Sequence, residues 1–405
     1  MDSYSVYIDS AAWVCEVNLI GCSKIYRYLV ENGHKITEDP SQADYIIINS
    51  CGLTKNHIER CVSLYKNYNS LKKESAKIIM FGCLVKINPK LLEKLDSLTI
   101  DFDEVEKFDK IFYKNTKFES INPHCDAKTK NELLKQNPFH RTEIFPFLLS
   151  GFILLFSKKA KLNYKKMLDN VTYKSRIFLE ISRGCTGNCN YCVIKRARGN
   201  IKSRPIKDII ADINKIKNPN EKLFLVANDC GCYGVDIKTN LVELMYEINK
   251  NYPDLAIELN YLNPQWIEKN SDQYIKLFKD VKIDFVVIPI QSGSNSVLKN
   301  MNRRYNVRKV VKTIDEIKKV SPHTFIYSHF IIGHPGEKWI DYFKTLKSAI
   351  HFDFPIAFEY SEHEGTVSST LPHHKSFLTV TLRYMLYILF MNFLMFHKLL
   401  TLPKK

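Results

Sequence analysis

The chain alternates short, nearly unbroken apolar runs with longer stretches in which apolar side chains recur every three or four residues. Val6-Tyr7-Ile8 opens the series, and Tyr45-Ile46-Ile47-Ile48-Asn49 and Lys77-Ile78-Ile79-Met80-Phe81 continue it. Runs that are apolar on both faces read as buried parallel strands. Between them, Ser23 to Glu31 and Ile58 to Leu71 carry helical spacing. The alternation predicts an α/β fold, with a small doubly wound parallel sheet over residues 1–115. From Arg176 to about Thr366 it resumes, with strand candidates at 177–181, 223–227, 257–262, 285–290, 325–332 and 357–360. Residues 173–368 therefore predict a partial (β/α) barrel, whose site would lie at the carboxyl ends of the strands.

Two segments break the pattern. Residues 116–172 read as an irregular linker. Its apolar run from Ile144 to Phe156 is interrupted by Pro146 and Gly151 and falls short of the roughly 20 residues a membrane span needs. A packed interdomain connection is the favoured reading, ahead of a docking surface. Residues 369–405 form an apolar C-terminal helix and tail, with Arg383 and Asn392 as the clear polar breaks between Phe377 and Phe396. A buried helix closing the barrel is favoured over a membrane anchor, because one Arg inside a lone span costs roughly 2.5 kcal/mol or more.

Composition narrows the class of partner. The 405 residues leave room for two or three domains, and the net charge of +16 favours an anionic partner, RNA or a membrane surface. The competing explanation is a lysine-rich composition, since Lys exceeds Arg in most segments. The first residues show neither the basic nor the apolar region of a secretory signal. The eleven cysteines are therefore expected as reduced thiols in a cytoplasmic protein.

The cysteines carry the strongest chemical signal. Cys185, Cys189 and Cys192 stand at CxxxCxxC spacing in a turn-rich loop after a strand-like run. Three thiolates so placed can converge on one soft metal centre. A structural zinc site usually takes four ligands in paired knuckles, and no second knuckle lies nearby in sequence. A [4Fe-4S] cluster held by three cysteines keeps one iron open to a non-protein ligand. Cys15, Cys51 and Cys83 lie at or near the ends of the first domain's strands and form a candidate converging trio, although each alone reads as a core or loop cysteine. Cys22 and Cys61 fall on helical stretches and read as packing.

Other polar groups follow barrel strands. Arg198 and Arg204 lie in a basic run after the cysteine loop, where phosphate or carboxylate binding competes with a solvated basic face. Asp229 stands at a strand end as a hydrogen-bond acceptor for cofactor or substrate; Cys230 and Cys232 beside it form a weak CxC metal signal. Gln291-Ser292-Gly293-Ser294 suits ribose or a methionyl head group, and Arg303-Arg304 adds cations. Gly333-His334-Pro335-Gly336-Glu337 reads either as a helix-starting turn or as backbone freed to contact adenine.

The cysteine loop, with Tyr191 directly before its last cysteine, resembles that of the radical SAM superfamily. The likeness extends further. Asn49-Ser50-Cys51, Gly82-Cys83-Leu84, Arg198-Gly199, Ser203-Arg204-Pro205, Tyr233-Gly234-Val235-Asp236, Met301-Asn302-Arg303-Arg304-Tyr305 and Glu364-Gly365-Thr366 fall where radical SAM methylthiotransferases place their own versions. The resemblance runs from about residue 5 to about residue 370. It implies two [4Fe-4S] clusters, one on Cys185, Cys189 and Cys192 and an auxiliary one on Cys15, Cys51 and Cys83, together with S-adenosylmethionine. It implies that one S-adenosylmethionine methylates sulfur on the auxiliary cluster while a second is cleaved to a 5′-deoxyadenosyl radical, so that a methylthio group enters an unactivated C–H bond. Tyr191, Arg198, Asp229, Gln291, Arg304, Gly333 and Pro335 become the candidate cofactor-binding residues. With the positive charge, a tRNA adenosine is the expected target, served by an electron donor such as flavodoxin or ferredoxin. A peptide or protein side chain is the alternative substrate, and a non-catalytic Fe-S RNA-binding protein the alternative of another class. Val14, Gly21-Cys22-Ser23 and Lys195 depart from the family pattern, and no strand-rich basic TRAM pattern is read after Thr366.

Overall fold

The computed structural model describes residues 3–12, 15–135, 176–218, 221–372 and 376–401. The predicted run from Ile144 to Phe156 and most of the predicted linker lie outside them.

The first sheet contains β1 (Ser5–Ser10), β2 (Lys35–Ile36), β3 (Tyr45–Ser50), β4 (Lys77–Gly82) and β5 (Leu98–Ile100). Their order is β2-β1-β3-β4-β5, and all are parallel. Strand periodicity explains the layers. Val6, Ile8, Ile47 and Ile79 pack toward α1 (Glu16–Glu31), whereas Tyr7, Ile46, Ile48 and Met80 pack toward α2 (Lys55–Leu71). The order reverses between β1 and β3, which places a crevice beyond the carboxyl ends of those strands. Three shorter helices follow: α3 (Cys83–Ile87), α4 (Pro89–Leu92) and α5 (Glu106–Phe112).

The region read as an irregular linker begins with regular structure. β6 (His124–Cys125) pairs antiparallel with β7 (Arg176–Glu180), and α6 (Ala127–Lys135) follows it. Two residues are too few to show a strand period, so β6 has no signature in the apolar pattern. It is held by α1: Ser23 donates to the His124 carbonyl at 2.8 Å, and Arg27 donates to the carbonyls of His124 at 2.8 Å and Asn122 at 2.6 Å.

The second sheet runs β14-β13-β12-β11-β10-β7-β6. Its parallel members after β7 are β10 (Lys222–Val226), β11 (Ile257–Leu259), β12 (Ile283–Val287), β13 (Phe325–Ile332) and β14 (Phe354–Glu359), an open (β/α) barrel. β11 and β12 stop earlier than the apolar runs suggest, although the main chain beyond them still bonds to neighbouring strands, Leu262 N–H to the Val287 carbonyl and Ile288 N–H to the Tyr327 carbonyl at 2.8 Å each. The ribbon of β8 (Ser182–Arg183) and β9 (Lys202–Ser203) brackets the cysteine loop and α7 (Ile194–Arg198). Outside the sheet lie α8 (Ile206–Ile216), α9 (Leu241–Asn251), α10 (Pro264–Lys269), α11 (Ser271–Asp280), α12 (Asn295–Asn300), α13 (Val307–Val320), α14 (Trp339–Ala349) and α15 (Phe377–Thr401).

Leu223, Leu225 and Leu259 face these outer helices, while Phe178, Phe224 and Phe285 on the concave face share one apolar cluster with α1. The first domain thus packs into the barrel. Arg176 and Glu258, 2% and 0% exposed, form an ion pair across this interior, with Arg176 Nη2 donating to Glu258 Oε1 at 3.0 Å.

The C-terminal helix differs from the buried helix expected. One face of α15 packs on the barrel through Arg383, Tyr387 and Met391, but only 22% of its apolar stretch Phe377–Met395 is buried. The sequence is apolar on both faces, so it could not show that only one finds a partner.

Candidate functional site

The CxxxCxxC loop leaves β7 and is pinned from several directions. Gly184 has φ +80°, and a Cβ there would lie 2.1 Å from the Asn200 carbonyl oxygen; glycine lets the loop close against its own return. Its N–H donates to Asn228 Oδ1 at 3.0 Å, beyond β10. Asn190 N–H donates to the Met301 carbonyl at 3.0 Å, and Asn302 Nδ2 to the Asn188 carbonyl at 2.7 Å. Cys185, Cys189 and Cys192 are all partly exposed. Burial pushes the Cys192 thiol up to about 11, and Cys189 and Cys185 lie close enough to add to the shift. The Cys185 thiol is held below its ordinary value by a hydrogen bond with Cys232.

Beside the loop opens a cavity of about 650 Å³, lined by Gly187, Cys189, Asn263, Trp266, Arg303 and Arg304 among others. Arg303, the residue that sequence reading passed over in favour of its neighbour, is 8% exposed. It donates to Cys189 Sγ at 3.8 Å and to the Pro289 carbonyl at 2.7 Å, and its buried Nε has no partner among the described residues. Adjacent arginines are indistinguishable in sequence; burial separates them.

The second group of cysteines comes from three adjacent strands. Cys15 precedes α1 in the segment after β1, Cys51 follows β3 directly, and Cys83 heads α3 after β4. Burial raises the Cys15 thiol to about 12, with Cys83 among the nearby groups that add to it. Burial also raises Cys51, whose nearby thiols are Cys15, Cys83 and Cys61. The trio converges. Asn18 and Asn49 line this crevice, 1% exposed each, and Asn18 Nδ2 and Asn49 Oδ1 have no partner among the described residues. Cys22 and Cys61 are buried and hydrogen-bonded at 3.3 Å, Cys22 accepting from Asn49 Nδ2 and Cys61 from the Cys51 N–H.

The two groups meet where α3, which begins at Cys83, packs on α7, which begins two residues after Cys192. Arg196 reaches the Ile87 carbonyl at 3.4 Å across this junction. Arg198 is buried beside it, its guanidinium 3.4 Å from the Phe102 ring centroid and donating to Asn18 Oδ1 at 3.4 Å.

Several candidate residues are placed differently from expectation. Asp229 does not present a free carboxylate: Oδ1 accepts from the Gly231 N–H at 3.0 Å and the Asn263 N–H at 3.2 Å, and Oδ2 from Trp266 Nε1 at 3.0 Å. It organises the strand-end turns. Its oxygen nevertheless lies with Cys185 and Cys232 in one set of ligand atoms within 4.8 Å of one another. The Gly333 N–H is taken by Glu337 Oε2 at 3.0 Å, and a Cβ at Gly333 would lie 2.7 Å from Val380. The helix approach leaves no room for a side chain at that position. Pro335 is buried, and its carbonyl accepts from His334 Nδ1 at 3.1 Å. Arg204 is tied to Asp212 and to the Glu180 carbonyl, so it is not free for substrate. Arg304 is exposed at the cavity mouth. Gln291 adopts φ +66° at the end of β12, its main chain bonded to His329 and Ile331 of β13 at 2.8 Å each. Tyr191 is partly buried, its ring edge-on to His334 with centroids 6.3 Å apart.

Residues 179–349 match the Radical SAM superfamily, and residues 7–102 match the uncharacterized protein family UPF0004. A probable threonylcarbamoyladenosine tRNA methylthiotransferase of Pyrococcus horikoshii is 26% identical over 368 residues, covering 90% of this chain and 78% of its own. The ribosomal protein uS12 methylthiotransferase RimO of Carboxydothermus hydrogenoformans is 28% identical over 368 residues, covering 87% and 76%. The chain belongs to the radical SAM methylthiotransferase family. Among solved structures, the radical S-adenosylmethionine methyltransferase TsrM from Kitasatospora setae, with cobalamin and a [4Fe-4S] cluster bound, shares the fold with a TM-score of 0.58 at 10% identity, covering 91% of this chain and 77% of its own.

As a radical SAM methylthiotransferase the chain uses S-adenosylmethionine and two [4Fe-4S] clusters. The residues present fit that pair. Two separate groups supply three thiols each, a donor set that suits iron-sulfur clusters. Polar atoms without a partner among the described residues remain beside both, Arg303 Nε at the loop and Asn18 Nδ2 and Asn49 Oδ1 at the trio.

Proposed function

We propose that this methylthiotransferase modifies a tRNA adenosine, with Cys185, Cys189 and Cys192 holding the cluster that engages S-adenosylmethionine and Cys15, Cys51 and Cys83 holding the auxiliary cluster. The observation that carries the reading is the junction of α3 and α7, which brings the ends of both cysteine groups together. Transfer between two cofactors gains most from such proximity.

When bound, these cofactors supply the hydrogen abstraction and the methylthio group. The chain's own residues do the placing. Arg303 offers a fixed cation beside Cys189, and the Gly187 N–H donates to Cys185 Sγ at 3.2 Å, so two ligand sulfurs carry protein hydrogen bonds that tune a cluster. Trp266 and Asn263 wall the cavity and are fixed by Asp229. Lys269, Arg304 and Lys309 at its rim are exposed and suit a phosphate backbone. Relatives named for uS12 are as similar as those named for tRNA, which supports a protein side chain as the second reading.

Nucleosides from tRNA of cells with and without the gene decide between them. Loss of a methylthio-adenosine on deletion is the expected result. Unchanged nucleosides with a methylthio mass lost from uS12 would replace the first reading by the second.

A further inference from the structure

We propose that the joint outer face of α14 and α15 docks on an anionic lipid bilayer, with α15 lying in the plane of the headgroups. This inference does not depend on which substrate is modified.

The face is large and apolar. Leu378, Leu382, Met385, Leu389 and Phe393 recur at three- and four-residue spacing along α15 and are 51–78% exposed. On α14, Trp339, Ile340 and Phe343 are 42–59% exposed, with the Trp339 and Phe343 rings 6.2 Å apart. Contiguous exposed apolar surface of this kind marks an interaction site.

The opposite face of α15 fixes the orientation. Arg383 is buried and paired with Glu337 at 2.8 Å, and its carbonyl accepts from the Tyr342 hydroxyl at 3.0 Å. Near the far end, Lys398 donates to the Ile350 carbonyl at 3.0 Å. The stretch Phe377–Met395 is long and apolar enough to cross a membrane, but crossing would strip the helix from the barrel and leave Arg383 and Glu337 unpaired. Lying in the interface keeps both contacts. A helix held by one face in this way presents its exposed apolar side to the headgroup region.

Charge selects the occupant. Lys338, Lys344 and Lys347 are exposed beside the apolar strip, Lys344 pairing at 3.6 Å with the buried α14 carboxylate Asp341 while Lys338 and Lys347 flank it, and α15 contains no Asp or Glu. A second copy docked across a two-fold axis would bring these lysine rows toward each other. Anionic headgroups satisfy them, as cations flanking an interfacial helix do generally.

Flotation of the reconstituted full chain with phosphatidylcholine vesicles, with and without phosphatidylserine, tests the proposal. Binding to the phosphatidylserine vesicles at low salt, at least about tenfold above the neutral ones, is expected. The exposed double variant L382K/L389K should lose about tenfold or more while keeping the wild-type circular dichroism and iron content. K344E/K347E should lose the preference for phosphatidylserine. Absence of flotation, flotation indifferent to L382K/L389K, resistance to carbonate extraction, or a stable dimer by light scattering in place of vesicle binding would each overturn it.

Discussion

The two cysteine groups reach similar ends by opposite routes. Cys185, Cys189 and Cys192 come from eight consecutive residues in one loop, all partly exposed and anchored by hydrogen bonds from the segments around Asn228 and Met301. Cys15, Cys51 and Cys83 come from positions scattered over the first domain and are near one another only because β1, β3 and β4 are neighbours in the sheet. A loop site is defined by local spacing; a strand-end site depends on the register of an entire sheet. The first should tolerate damage elsewhere in the fold, and the second should not.

The largest effects should separate the two by chemistry. Cys189→Ala is expected to abolish 5′-deoxyadenosine formation from S-adenosylmethionine under reductant, a loss of about a thousandfold or more, since the loop group would keep only two ligands. Cys51→Ala should leave that cleavage within about threefold while eliminating methylthio transfer. Loss of cleavage in Cys51→Ala would break the division of labour. Arg303→Ala should lower cleavage about a hundredfold, and Arg304→Ala far less, because only Arg303 reaches a cluster ligand.

A second set concerns the shared interior. Glu258→Ala removes the carboxylate that pairs with the buried Arg176 and should cost about 3–5 kcal/mol in urea unfolding of the metal-free chain. Burial holds His124 and His329 down to about 4. Their contribution to stability is complete above about pH 6.5 and drains as pH falls toward 4, because the unfolded imidazole takes up a proton that the folded one refuses. Urea midpoints of the metal-free chain should therefore drop from pH 7 to pH 5, and His329→Phe should flatten the profile. The smallest effect belongs to Cys61→Ala, whose buried thiol bonds the Cys51 main chain: a loss of about 1 kcal/mol with iron content unchanged.

The same contrast explains what was legible beforehand. Unbroken runs such as Tyr45–Asn49 announced the parallel strands, because strands buried on both faces need apolar residues on both. Cys185, Cys189 and Cys192 announced themselves through spacing. The trio was legible as three strand ends, and its closeness needed the order β2-β1-β3-β4-β5. Arg303 escaped because nothing in Arg303-Arg304 says which guanidinium turns inward. Asp229 and Gly333 stood at the right strand ends, yet their hydrogen bonds go to Trp266, Asn263 and Glu337, partners distant in pattern. The outward face of α15 escaped because an apolar helix does not declare which side it buries.

The central claim is that six cysteines form two independent groups of three. Iron and sulfide counting after anaerobic reconstitution tests it directly, on the wild type, on C15A/C51A/C83A and on C185A/C189A/C192A. The account predicts about eight irons in the wild type and about four in each triple variant. About four irons in the wild type, left unchanged by C15A/C51A/C83A, would contradict it.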